Sequence, residues 1–311
     1  KGIQAAPDNV VIAPGGKPIM FYVMLALLED GDEVIYPDPG FPIYESMVDF
    51  LGARRVPIGF REVGSRFRWD VDTVERQAGP QTKLMIVNTP SNPVGSSIPV
   101  EDLERIAAVA RLHDIFVLSD EIYSRILYEG TFTSLASLPG MADRTCILDG
   151  FSKTYAMTGW RLGYGVMPEW LVPAVTRLQT NSASCTATFT QLAGVEALTG
   201  PQDSVDEMVA EFRRRRSLVV DGLNAIEGVT CALPEGAFYA FPNIRDTGMK
   251  SREAADALLY EAGVAVLSGT SFGANGEGYL RLSYANSYEN LEKALERMRA
   301  VLESRARAGA G

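Results

Sequence analysis

Gly150-Phe151-Ser152-Lys153 is the stretch of this sequence best suited to chemistry. It directly follows an apolar run, Cys146–Asp149, that reads as a buried strand. An ammonium at the end of such a strand is costly to keep charged. The same cost makes the amine a nucleophile near neutral pH, fit to form an imine with a carbonyl cofactor. Only six of the 29 cationic side chains are lysines, so one in an unusual setting carries weight. Taken alone, a lysine on an exposed loop is the simpler reading. Asp120 closes another apolar run, Ile115–Asp120, and is followed by Glu121-Ile122-Tyr123. A carboxylate there can pair with the protonated ring nitrogen of a heterocyclic cofactor, with Tyr123 reaching the same ring. The plain alternative for Asp120 is a helix N-cap.

Two loops add candidates of weaker individual force. Ala13-Pro14-Gly15-Gly16-Lys17-Pro18 joins a strand to a helix. Its glycines let the backbone approach an anion at the helix N-terminus, although a Gly-Gly pair alone marks only a turn. Asn88-Thr89-Pro90-Ser91-Asn92-Pro93 is a rigid loop from which Asn92 can bond a ligand oxygen or stabilise its own turn.

The elements that must position these residues alternate along the first two-thirds of the chain. Val10–Ala13, Glu33–Tyr36, Lys83–Asn88, Ile115–Asp120 and Cys146–Asp149 read as strands buried on both faces. Pro18–Glu29, Pro42–Leu51, Val71–Gln77 and Val100–His113 have helical spacing. This order predicts an α/β fold, a mainly parallel sheet sandwiched by helices, with ligands at the carboxyl ends of the strands. From about Pro201 the texture changes. A long charged helix over Asp203–Ile226 precedes short strands at Ala237–Phe241, Val264–Leu267 and Tyr279–Tyr284, and a helix over Ser287–Arg307 capped by Ser287. We therefore expect a large domain over 1–202 and a smaller C-terminal α+β domain over 203–311. The Arg213–Arg216 run, preceded by Asp206, Glu207 and Glu211, reads as a solvated helix face.

Composition excludes several classes. One histidine, His113, leaves almost no material for a Ser-His-Asp triad or a histidine-rich metal site. A net charge of −10 argues against nucleic-acid binding. The longest apolar run, Pro18–Leu28, is too short to cross a bilayer, so no membrane partner is expected. Cys146, Cys185 and Cys231 show no metal or redox spacing, and no signal segment is visible, which makes a cytoplasmic location the expectation. A nicotinamide dehydrogenase is disfavoured, because no G-x-G-x-x-G follows the first strand.

Taken in order, Gly-Gly-Lys, Asn-Thr-Pro-Ser-Asn-Pro, Ser-Asp-Glu-Ile-Tyr, Gly-Phe-Ser-Lys and Gly-Trp-Arg-Leu-Gly resemble the class I aminotransferases among the fold-type I pyridoxal-phosphate enzymes. The resemblance runs from about Val10 to the end of the chain's second part. It implies that Lys153 carries pyridoxal 5'-phosphate covalently, that Asp120 pairs with the ring nitrogen, and that Tyr123 and Asn92 bind the ring hydroxyl oxygen. Phe41, in Pro39-Gly40-Phe41-Pro42-Ile43-Tyr44, matches the aromatic that stacks on the ring; otherwise it is core. Gly15, Gly16 and Lys17 match the phosphate loop, with Ser152 and Arg161 adding a hydroxyl and a charge. Arg281 matches the arginine that grips the substrate α-carboxylate with its planar fork; otherwise it lies on an exposed strand face. Lys17 can instead meet the distal carboxylate of a dicarboxylic substrate, which favours aspartate or glutamate with a 2-oxo acid.

The resemblance also implies a homodimer and allows a carbon–sulfur lyase, a racemase, or a cofactor-sensing domain of a transcription regulator on the same fold. The family carries several dozen residues ahead of the strand that starts here at Val10. Their absence from this sequence leads us to expect an open site with impaired activity. Gly150 stands where some members have a phosphate-binding serine, so one phosphate bond is expected to be missing.

Overall fold

The structure is a computed structural model and describes residues 1–309. β1 (Val10–Ala13) leads into α1 (Gly16–Leu27), β2 (Glu33–Pro37) into α2 (Ile43–Phe50), and β3 (Arg54–Ile58) into a hairpin of β4 (Phe60–Val63) and β5 (Arg66–Trp69). Then come α3 (Val71–Gln77), β6 (Thr82–Asn88), α4 (Val100–Leu112), β7 (Phe116–Asp120) and β8 (Thr145–Gly150). The short α5 (Phe151–Thr154), β9 (Gly163–Val166), α6 (Val172–Ala183) and α7 (Thr188–Thr199) complete this part. Seven strands form one sheet in the order β1-β9-β8-β7-β6-β2-β3. Neighbours from β3 to β8 pair in parallel, and β9 runs antiparallel to both β8 and β1. The expected mainly parallel sheet is therefore observed, with one reversed strand that the sequence reading leaves unassigned.

Strand alternation explains why apolar runs were needed on both faces. Val34, Tyr36, Leu84, Ile86, Leu118 and Leu148 pack under α1, α2 and α6, whereas Ile35, Met85, Val87 and Val117 pack under α3 and α4. The same alternation carries Asn88 and Asp120 to the α1 side at the strands' carboxyl ends. Those two residues stand in register with one another.

The remainder comprises α8 (Asp203–Asn224), β10 (Tyr239–Ala240), α9 (Ser251–Ala262), β11 (Leu267–Ser268), β12 (Leu280–Ser283) and α10 (Tyr288–Gly309). The three strands form an antiparallel sheet in the order β10-β12-β11. Their core also takes in Tyr123, Ile126 and Tyr128 from the segment after β7. Ser287 Oγ accepts the Asn290 N–H, capping α10 as the sequence suggests.

All three C-terminal strands are shorter than expected. Ala237 adopts a φ of 56°, which keeps it out of the ladder. Val264 spends its N–H on Leu258 O at 2.9 Å, closing α9 after the left-handed Gly263. The arginine run also divides. Arg214 and Arg215 pair with Glu211 on the outside. Arg216 is buried, donating to Pro234 O and stacking on Tyr128, because it shares a helix face with Phe212, Val219 and Leu223.

Candidate active site

The site is assembled at the carboxyl ends of β6, β7 and β8. Asn88 Nδ2 donates to Asp120 O at 3.1 Å, and its Oδ1 accepts the Asn92 N–H at 2.8 Å, fixing the loop that carries Asn92. The Asp120 carboxylate accepts Tyr44 O–H at 2.8 Å and the Ile122 N–H at 3.3 Å. Burial pushes its pKa from 3.8 up to about 6; those two hydrogen bonds oppose the rise, and the nearby charges of Asp149 and Glu121 add to it. No helix begins at Asp120, which is the last residue of β7, so the N-cap alternative does not apply.

Lys153 stands in α5, one turn after β8. Its Nζ lies 5.3 Å from the Phe238 ring centroid and 5.9 Å from that of Tyr123, and has no hydrogen-bond or ion-pair partner among the described residues. Burial lowers its pKa, Arg281, Arg161 and Lys17 lower it further, and Asp120 opposes them. A half-buried amine among cations is thus biased toward its neutral, nucleophilic form.

Gly15 has a φ of +99°, and a Cβ on it would strike the Arg161 guanidinium. Arg161 is held against this turn by donating to Thr158 O at 2.8 Å and Pro14 O at 3.3 Å. Behind it, Gly163 of β9 leaves no room for a side chain against the Gly15–Gly16 backbone. No side chain caps α1, so its first N–H groups face the space beside Arg161, Lys17 and Ser152.

Arg281, on β12, approaches from the opposite side. Its guanidinium carbon sits 4.6 Å from the Tyr239 ring centroid and 4.7 Å from that of Phe272, over both aromatic rings. Nη1 donates to Asn92 Oδ1 at 3.3 Å, while the buried Nε has no partner. Tyr239 also shares a 2.8 Å hydrogen bond with the Tyr123 hydroxyl.

These groups surround one cavity of about 470 Å³. Every residue singled out from the sequence lines it except Gly15, which stands directly behind Gly16. Sequence reasoning missed Tyr44, Asn88, Thr158 and Tyr239, which line it too. Tyr44 was within reach, because it follows Phe41 by three residues, a helical spacing at the start of α2. Four cations, Lys17, Lys153, Arg161 and Arg281, face one carboxylate, Asp120. The local sign is opposite to that of the whole chain, as an anionic ligand requires. Among the described residues no cluster of His, Cys, Asp and Glu could hold a metal ion.

The family model described as aminotransferase class I and II matches residues 1–298. The chain belongs to that family. This aminotransferase is 42% identical over 308 residues to aromatic-amino-acid aminotransferase 2 of Thermococcus litoralis, spanning 98% of this chain and 79% of that one. It is 42% identical over 307 residues to an aspartate aminotransferase of Pyrococcus abyssi, spanning 97% and 78%. Among solved structures, the aromatic aminotransferase of Pyrococcus horikoshii matches with a TM-score of 0.95 at 41% identity, over 98% of this chain and 82% of that one. The Thermus thermophilus aspartate aminotransferase with maleate matches at 0.90 and 38%, over 97% and 78%. The fold is that of the fold-type I aminotransferases, a pyridoxal-phosphate-dependent family. The cavity fits such a cofactor: the glycine cradle that a Cβ would fill, the uncapped α1 terminus, the buried Asp120 and the unpartnered Arg281 Nε supply an anion site, a ring partner and a carboxylate site.

Proposed function

We propose that this aminotransferase moves an amino group between a dicarboxylic L-amino acid, aspartate or glutamate, and a 2-oxo acid. The observation that carries the reading is the unpartnered Lys153 amine in a cavity lined by three further cations and one buried carboxylate. When bound, pyridoxal phosphate supplies an electrophilic aldehyde and a ring that accepts electron density. Gly15, Gly16, Ser152 and Arg161 hold the phosphate, Asp120 the ring nitrogen, Tyr123 and Asn92 the ring hydroxyl oxygen, and Phe41 one ring face. Arg281 fixes the substrate α-carboxylate and so orients the Cα–H bond for cleavage. Lys153 Nζ, biased toward its neutral form, is the base placed to take that proton.

Lys17 is the residue we assign to the distal carboxylate. Its Nζ lies over the Phe41 ring, 5.1 Å from the centroid, whereas Arg161 is the cation fastened to the Gly-Gly turn. A second reading, an aromatic donor, is favoured by the apolar lining of Met20, Phe41, Ile122 and Tyr239. We also propose a homodimer, on the strength of the exposed apolar face of α7.

The test is absorbance of the purified protein with pyridoxal phosphate, followed by addition of L-aspartate, L-glutamate or L-phenylalanine and assay of the 2-oxo acid formed. A visible band that disappears with amino acid, and does not form in Lys153→Ala, supports transamination. A wild-type protein without the band, or one that releases a product other than a 2-oxo acid, overturns it. Lys17→Gln decides the donor: a KM for aspartate raised about tenfold more than that for phenylalanine supports the dicarboxylic reading, and equal effects transfer the assignment to the aromatic one.

A further inference from the structure

Asp38 is a buried carboxylate that the reaction above does not use, 6% exposed and without an ion-pair partner among the described residues. It follows β2 and precedes the Pro39–Phe41 stretch. Its partners lie more than 230 positions away in the loop after the short 3-10 helix Gly269–Phe272. Oδ1 accepts the Asn275 N–H at 3.2 Å, and Asn275 Nδ2 donates to Asp38 O at 3.5 Å. Two residues on, Gly40 N–H donates to Phe272 O at 2.7 Å. Gly273 sits between these bonds at a φ of +130°, and any Cβ there would strike the Asp38 carboxylate. A backbone N–H and a glycine have thus been brought against one carboxylate that has no ion-pair partner among the described residues.

The two segments it joins each carry a wall of the active site. One leads directly into Phe41. The other presents the Phe272 ring to the Arg281 guanidinium, which also lies over Tyr239. An arginine packed over two rings keeps its fork aimed at one place, and less freedom is lost when a carboxylate arrives.

We propose that Asp38 is a positioning residue whose bonds to the 273–275 loop hold Phe272 against Arg281 and so set the affinity of the site for a substrate carboxylate. The proposal rests on the assignment of Arg281 to that carboxylate. It requires a hydrogen-bond acceptor at Asp38 Oδ1 rather than a negative charge, so Asp38→Asn should substitute for Asp38 and Asp38→Ala should not.

The experiment uses the chain loaded with pyridoxal phosphate and two inert carboxylates, succinate and 3-phenylpropionate. Their dissociation constants are read from the shift they cause in the visible band. For Asp38→Ala we expect both constants to rise about tenfold, with the cofactor's own dissociation constant within about twofold of wild type. Asp38→Asn should stay within about threefold of wild type for all three. Should Asp38→Ala not fold, Gly273→Ala carries the same expectation, since its methyl displaces Oδ1 from the other side. A variant with a lowered melting temperature but wild-type carboxylate affinity overturns the latch alone. The same holds if the cofactor and the carboxylates weaken together. A wild-type protein that binds the cofactor but neither carboxylate overturns the Arg281 assignment, and the latch with it.

Discussion

At the scale of single residues, the site stores a cost that can be measured without cofactor. Asp120 titrates near 3.8 in an unfolded chain and near 6 in the folded one, chiefly because its charge is buried. Between those values the folded protein binds more protons, so stability falls as pH rises through that window. Above it the full penalty applies, on the order of 3 kcal/mol. Asp120→Asn removes the charge but cannot accept from both Tyr44 and Ile122, which returns about 1 kcal/mol. The cofactor-free variant should therefore be about 1–2 kcal/mol more stable than wild type at pH 8, and no more stable at pH 4. Denaturant melts at the two pH values check this, and a gain of equal size at both would remove charge burial as the cause. The residues named from the sequence were readable because a lysine, a carboxylate and an amide at the ends of apolar strands are anomalies. Tyr239 and Phe272 were not, because an aromatic in an amphipathic pattern looks the same whether it fills a core or borders a site.

Among elements, what periodicity could see was burial on two faces. β6 is apolar from Leu84 to Val87 and β7 from Phe116 to Leu118 because helices cover both sides, and their bounds follow these runs to within a residue or two. β9 escaped notice because it is Gly163-Tyr164-Gly165-Val166, a composition that argues against a strand. The glycines are there for clearance. At Gly163 a Cβ would press on the Gly15–Gly16 backbone, and at Gly165 it would come within 2.6 Å of Ile19 Cγ2. β9 is thus the plate against which the Gly15–Gly16 turn is set, which gives Gly163→Ala a specific signature. Backbone cannot yield as a flexible side chain does, so the variant should lose about 1–3 kcal/mol of stability. Pyridoxal phosphate affinity should fall roughly tenfold or more as the turn is displaced, since the anion contacts depend on close approach. Gly165→Ala, which meets only the side chains of Ile19 and Met167, should cost stability with much less effect on the cofactor. Equal cofactor affinities for the two variants would show that β9 does not set the turn.

For the whole molecule, α7 is the element out of place. A helix rich in apolar residues ordinarily turns them inward, and Thr188–Thr199 carries Phe189, Leu192, Ala193, Val195, Ala197 and Leu198 among its threonines, Gln191 and Glu196. Yet it buries only Thr190 and Gly194, the latter pressed on Leu162 and Phe151. Phe189, Leu192, Val195 and Leu198 are each more than half exposed, and Trp160 joins them through its contact with Phe189. An apolar face of this extent is characteristic of a covered surface. A second copy is the occupant expected of a chain from a family for which the sequence implies a homodimer, and two α7 faces meeting about a twofold axis would be self-complementary. Threonines, Gln191 and Glu196 are scattered between its apolar residues, so α7 shows no distinct polar face to mark its period in the sequence. Leu192→Asp and Leu198→Asp place charges in the middle of this face while leaving the Thr190–Gly194 contact untouched. Sedimentation velocity at micromolar concentration should show a wild-type dimer and variants shifted to monomer, with far-UV circular dichroism unchanged. A monomeric wild type, or variants that remain dimeric, would mean that the α7 face serves some other contact.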